Sequence, residues 1–165
     1  MVSYLFKGMI IALKKAAISQ LNNRKQMKIR TYQNKDKKQV IALWKECGLS
    51  VPWNDPEKDI ERKVMDSPEL FLVGELEGKL IAVCMAGYDG HRGWIYYLGV
   101  KPELQKKGYA QQIVEYAEQK LIEIGCPKIN LMVRKTNQGV IEFYKAVGYQ
   151  DDPVVVLSKR LIPDM

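Results

Sequence analysis

The sequence predicts one mixed α/β domain over residues 27–165, a sheet flanked by helices, and three observations carry that reading. Short apolar runs of strand length alternate with stretches whose apolar residues recur every three or four positions. Two of those runs, Leu70–Leu76 and Leu80–Tyr88, are joined at Glu77-Gly78, the turn chemistry of an antiparallel hairpin. A further run, Trp94–Val100, passes through a loop into a long amphipathic stretch and on to Ile129–Val133, the pattern of a parallel crossover.

In chain order, Met27–Tyr32 reads as a short strand. Lys35–Cys47 sets Val40, Leu43, Trp44 and Cys47 on one helical face, and Gly48 stops it. Pro52-Trp53-Asn54-Asp55-Pro56 is a turn in which Asp55 caps a second helix, with proline at its first position, running to about Asp66. After the hairpin, Asp89-Gly90-His91-Arg92-Gly93 turns the chain into Trp94–Val100. Lys101–Lys107 is a polar loop ending at Gly108, and the helix beyond it buries Ala110, Ile113, Val114, Ala117, Leu121 and Ile124 before Gly125 and Pro127 end it. Ile129–Val133 is a strand, Asn137–Val147 a helix ending at Gly148, and Val154–Leu157 a last strand.

Residues 1–26 stand apart as a basic amphipathic extension. Leu5, Phe6, Met9, Ile10, Leu13, Ala17 and Leu21 form a helical stripe, with the lysines largely off it. Its apolar stretch is too short and too interrupted by Lys14 and Lys15 for a signal peptide. It suits packing on the domain or on a neighbouring subunit, so monomer and homodimer both stay open, and an anionic membrane surface is a weaker alternative.

The net charge of +7 belongs mostly to this extension, which holds Lys7, Lys14, Lys15, Arg24 and Lys25 and no acid. The remainder, 21 basic against 19 acidic side chains, is not a nucleic-acid-binding composition. No apolar run reaches the ~18–20 residues of a membrane span. Three scattered cysteines and a single histidine, His91, argue against a disulfide scaffold or a metal site and fit a cytoplasmic protein with reduced thiols.

The chemistry gathers where a strand meets a helix, in Leu98-Gly99-Val100-Lys101-Pro102-Glu103-Leu104-Gln105-Lys106-Lys107-Gly108-Tyr109-Ala110. The first amides of a helix have no internal partner and carry the positive end of its dipole, so such a loop cradles phosphate. Gly108 permits close backbone approach, and Lys106 and Lys107 add charge. Neither a Walker loop nor a G-x-G-x-x-G loop is present. A second constellation follows. Asn137 is placed to cap a helix, and Tyr144 lies two turns along the same face, ~10 Å away.

Taken together these segments resemble the GNAT superfamily of acetyl-CoA-dependent N-acetyltransferases. Gln105-Lys106-Lys107-Gly108-Tyr109-Ala110 is similar to its Q/R-x-x-G-x-G/A signature, with Ala110 at the second small position. Asn137 through Phe143-Tyr144 to Gly148-Tyr149 resembles its N-x-x-A-x-x-F-Y-x-x-x-G-F block, with Val140 and Tyr149 as substitutions. Trp53-Asn54-Asp55-Pro56 and the Gly87–Gly93 segment further resemble the small bacterial YpeA-type subgroup. The likeness spans about residues 27–160.

The resemblance implies an α/β fold with a mixed, mostly antiparallel sheet and a splayed central parallel pair. It implies acetyl-CoA as cosubstrate, no metal, and direct attack by a primary amine of a small molecule or peptide. Coenzyme contacts fall on Leu98, Val100, Gln105, Lys106, Lys107, Gly108, Tyr109, Ala110, Asn137 and Tyr144, with Tyr144 as general acid for the leaving thiolate. Direct attack also accounts for the lack of a Ser/Cys–His pairing.

The base is not evident. Ribosomal-protein-acetylating relatives carry a glutamate where this chain has Met132. Glu75, Asp89, His91 and Tyr97 are the groups left, of which Asp89 and Tyr97 are the two retained as bases. Trp53, Asn54 and Glu75 are expected at the acceptor. Without an evident base, a non-catalytic acyl-CoA-binding or regulatory module on the same fold is the alternative.

Overall fold

The computed structural model describes residues 26–164. The extension therefore lies outside the described residues, apart from Gln26.

The first strand, β1 (Lys28–Thr31), pairs antiparallel with β2 (Phe71–Leu76), which forms a hairpin with β3 (Lys79–Tyr88) through Glu77-Gly78. Both turn residues have positive φ, 52° and 77°, and glycine takes the second at no steric cost. β4 (Gly93–Val100) pairs antiparallel with β3, and β5 (Ile129–Asn130) pairs parallel with β4, giving the sheet order β1-β2-β3-β4-β5.

The helices are α1 (Lys37–Glu46), α2 (Pro56–Asp66), α3 (Tyr109–Glu123) and α4 (Gln138–Ala146). Asp55 caps α2 as expected, its carboxylate accepting from the Glu57 amide at 2.8 Å.

Alternation along the strands sorts the core into two faces. Phe71, Val73, Val83 and Met85 point to one side, where Val40, Leu43, Trp44 and Ile60 of α1 and α2 cover them. Leu72, Cys84 and Ala86 point to the other, under Ile113, Val114, Ala117 and Leu121 of α3. Both faces of β3 are therefore covered, which is why it reads as a continuous apolar run rather than an alternating one. Trp44 is fully buried and stacks on Tyr97 at 4.2 Å, so truncating it to alanine would cost about 3–5 kcal/mol.

At the sheet edge Arg30 clamps two elements. Its guanidinium meets Asp36 in two bonds, 2.7 and 3.0 Å, and Glu75 at 2.5 Å.

Three sequence expectations are corrected. Ile124 is half exposed, because α3 ends one residue earlier, and Tyr109 takes a buried place at its start instead. The strand Ile129–Val133 lasts only two residues. Val154–Leu157 forms no strand and lies exposed, since an apolar run becomes a strand only where a neighbour supplies ladder partners.

Candidate active site

The parallel pair is where the sheet opens. Gly93 faces Ile129 and Trp94 faces Asn130, and no further pairing follows. From Ile95 to Val100 the outer edge of β4 has no strand beside it among the described residues.

Beside this split β4 carries a bulge. Val83 opposes Gly99 and Met85 opposes Tyr96, so Tyr97 and Leu98 together oppose Cys84. Tyr97 sits at φ 52°, a conformation that costs a non-glycine residue about 1–3 kcal/mol. The extra residue re-aims the side chains. Tyr97 joins the α1 and α2 face while Leu98 packs toward α3.

Past Val100 the loop is organised by its own side chains. Gln105 donates Nε2 to the Val100 carbonyl at 3.0 Å, and Lys107 donates Nζ to the Glu103 carbonyl at 2.9 Å. Gly108 stands at the N-cap of α3 with φ 87°, in the left-handed region, and supplies no capping side chain. The Gln112 amide is bonded to the Gly108 carbonyl at 3.1 Å, leaving the amides before it without partners inside the helix. The resulting mouth suits an oxyanion such as a pyrophosphate. Gln105 and Lys107 spend their side chains on the loop, and Tyr109 is buried, so these positions offer main-chain groups. Lys106, at φ 57°, is exposed at the same mouth.

Tyr144 lies on α4, only 6% exposed, with Phe143 and Tyr149 edge-on at 5.0 and 5.2 Å. Its hydroxyl has no hydrogen-bond partner among the described residues. Burial pushes the phenol well above its ordinary value, and the nearby Cys84 and Glu118 push the same way. It faces a groove of about 1470 Å³ bounded by Asn130–Lys135 and Val154–Val156. The loop over residues 105–110 does not line that groove.

Asn137 occupies the N-cap of α4 but makes no capping bond, so its exposed amide is not committed to the helix. Glu118 escaped the sequence reading. It accepts from the Tyr149 hydroxyl at 2.8 Å and lies at the rim of the α3 stripe, next to the buried Ala117.

Neither base assignment fits its surroundings. Asp89 accepts from the amides of His91 and Arg92 at 2.8 and 2.7 Å and from the Trp94 indole at 3.0 Å. Those donors, led by Arg92, pull its carboxyl down to about 2, far from a group poised to take a proton near neutrality. Tyr97 donates its hydroxyl to Asp59 at 2.5 Å, and burial with that bond pushes the phenol up to about 12. His91 is exposed in the turn beside Arg92. Glu75 is engaged by Arg30, so it is not open to an acceptor.

The other residues expected at the acceptor have partners of their own. Trp53 is 49% exposed, with the Arg134 guanidinium 5.9 Å above its ring. Asn54 accepts from Arg160 at 2.8 Å. Asp59 also receives Arg62 at 3.0 Å, so it joins Tyr97 on the sheet to the exposed face of α2. Among the described residues no group of three or more His, Cys, Asp or Glu side chains is arranged to hold a metal. No helix there is long and apolar enough to cross a membrane.

Comparison with known proteins adds to this geometry. Residues 37–149 match the model of the Acetyltransferase (GNAT) family. The chain is 50% identical over 138 residues to Acetyltransferase YE1169 of Yersinia enterocolitica, covering 84% of this chain and 98% of that one. It is 51% identical over 139 residues to Acetyltransferase SG1711 of Sodalis glossinidius, with the same coverage. Among solved structures it is similar to AAC(6')-Iy in complex with a bisubstrate analog, CoA-S-monomethyl-acetylneamine. That likeness has a TM-score of 0.68 at 17% identity and covers 82% of this chain and 99% of that one. Glucosamine-6-phosphate N-acetyltransferase from Arabidopsis thaliana aligns with a TM-score of 0.62 at 22% identity, over 83% of this chain and 99% of that one.

Proposed function

Because the chain belongs to the GNAT acetyltransferase family, we propose that it moves the acetyl group of acetyl-CoA directly to a primary amine. The observation that carries this reading is the early parting of β4 from β5 beside an uncapped helix start. An acyl donor needs both features at once: main-chain groups along an arm and an oxyanion cradle for its diphosphate.

Acetyl-CoA supplies an activated thioester. The chain supplies the rest. The amides around Gly108 to Ala110 hold the diphosphate, with Lys106 beside them and Asn137 a further contact. Main-chain groups of Leu98 and the amide of Val100, whose carbonyl Gln105 already holds, pair with the pantetheine arm on the side β5 leaves open. An amide near Leu98, aimed by the bulge, polarises the thioester carbonyl and stabilises the oxyanion that forms there, an effect worth about 3–4 kcal/mol per donor in acyl transfer. The neutral amine nitrogen bonds to the carbonyl carbon, the carbon–sulfur bond breaks, and the thiolate takes the Tyr144 hydroxyl proton. The proton lost by the nitrogen passes to water, from which the Tyr144 phenolate is reprotonated. That phenol is held protonated by burial, which is what an acid for this step requires.

The engaged state of Asp89 and Tyr97 favours a second reading, a module that binds acyl-CoA without turnover. One experiment separates the two. Calorimetry with acetyl-CoA should show binding, and thiol release should rise on addition of amines drawn from amino acids, polyamines, aminoglycosides and peptides. Binding with no acceptor-dependent thiol release would favour the module. No binding by well-folded protein would overturn both.

A further inference from the structure

The C-terminal segment closes on α2 through a buried carboxylate. Asp164 has a side chain only 4% exposed, although it lies two residues past the exposed Ile162. Arg62 donates to it through both terminal nitrogens, Nη1 at 3.3 Å and Nη2 in a shorter contact. Arg160 stands at 3.8 Å from the same carboxylate. Lys58 donates Nζ to the Asp164 carbonyl at 2.6 Å. Arg62 thus receives a carboxylate on both terminal nitrogens, one turn of α2 from Lys58, which holds the main chain of the same residue.

This contact adjoins the acceptor side of the site. Arg62 also binds Asp59 at 3.0 Å, and Asp59 holds the Tyr97 hydroxyl at 2.5 Å. Tyr97 precedes Leu98 at the bulge where the sheet opens. Cationic and anionic groups therefore stand side by side, Arg62 and Lys58 against Asp59 with Tyr97. A molecule carrying an ammonium and a carboxylate a few bonds apart matches both halves. Arg160 ties the same tail to Asn54, so the tail lies over the turn expected to wall the acceptor.

We infer that Arg62, with Lys58 one turn away on α2, forms a carboxylate subsite for acceptors of the amino-acid or short-peptide class, and that Asp164 fills this subsite until such an acceptor displaces it. The ammonium of the acceptor lies against Asp59 and Tyr97. The inference rests on the acetyl-transfer reading for the role of the subsite, but its occupancy can be read without turnover.

The test pairs glycine and glycylglycine with their amides, which keep the amine and lose the charge. Hydrogen exchange of residues 158–164 is followed in the full chain at saturating concentration of each. The acids should speed exchange there and the amides should not. Thiol release is measured in parallel for wild type, Asp164→Ala and Arg62→Gln. If the tail is closed about nine-tenths of the time, Asp164→Ala lowers the KM of the acids about tenfold and leaves that of the amides within twofold. Arg62→Gln raises the KM of the acids at least tenfold. Equal responses to acids and amides, in exchange or in KM, would overturn the subsite while leaving acetyl transfer intact. Acid-specific exchange without thiol release for any amine would keep the subsite and sink the transfer reading.

Discussion

Replacing Tyr144 by phenylalanine separates chemistry from structure more cleanly than any other change in this protein. The ring is 6% exposed and its hydroxyl has no hydrogen-bond partner among the described residues, so the substitution removes one oxygen and leaves the packing with Phe143 and Tyr149. Deleting an unpartnered hydroxyl from an apolar site shifts stability by no more than about 1 kcal/mol, and the sign can be favourable. The catalytic loss is expected to be much larger. A positioned general acid contributes about 10²–10⁴ in rate, which corresponds to roughly 3–5 kcal/mol of barrier. Thiol-release kinetics should therefore show kcat down at least a hundredfold. Calorimetry should give an acetyl-CoA affinity within about threefold of wild type, and thermal melting should move by only a few degrees. A kcat within threefold of wild type across the accessible pH range would refute the assignment. The thiolate would then leave without help from this residue.

Five other changes test the scaffold. Gly108→Ala places a side chain at φ 87°, so it should cost about 1–2 kcal/mol in melting experiments and weaken acetyl-CoA binding by calorimetry. Gly93→Ala sets a Cβ 2.7 Å from the Cys126 sulfur and 3.2 Å from Ile129, at the root of the split. Denaturant unfolding should show a loss of about 1–3 kcal/mol. Asp89→Asn should lower the melting temperature by loosening the turn yet leave the pH–rate profile unchanged, and loss of the acidic limb would restore Asp89 as a base. For the Arg30 clamp, burial raises the Asp36 carboxyl, but the Arg30 bonds and the Gln33 amide outweigh it and its value falls below the ordinary 3.8. The stabilisation is complete above 3.8 and is lost as pH drops through the folded value. Arg30→Met should cost about 3–5 kcal/mol at pH 7 by leaving that carboxylate buried and unpaired, and acid titration of Asp36→Asn should show a shallower loss of stability below pH ~4.

Most of the fold was legible because its cues are local. The Asp55-Pro56 cap, the Glu77-Gly78 turn and the stripe of Ile113, Val114, Ala117 and Leu121 each follow from near-neighbour chemistry, and the structure places all of them as read. The Gly108 helix start was legible for the same reason, since only a glycine there carries the left-handed turn without strain.

The strand expectations at Leu131–Val133 and Val154–Leu157 were wrong because strand formation needs a partner, and a sequence pattern does not name one. Residues acting across long separations were equally hidden. Asp89 and Tyr97 looked available as bases until the turn amides and Asp59 were seen to engage them. Glu118 and Asp164 drew no notice, being ordinary surface letters until Tyr149 and Arg62 met them. The sequence by itself determined the order of the elements as far as α4, the Asp55 cap and the glycine start of α3, because hydrogen bonding and steric preference within a few residues decide them. Tertiary structure alone decided where β4 leaves β5, which side chains face the opening and which charges are already paired. Those depend on distances between residues far apart in the chain, and no local pattern encodes them.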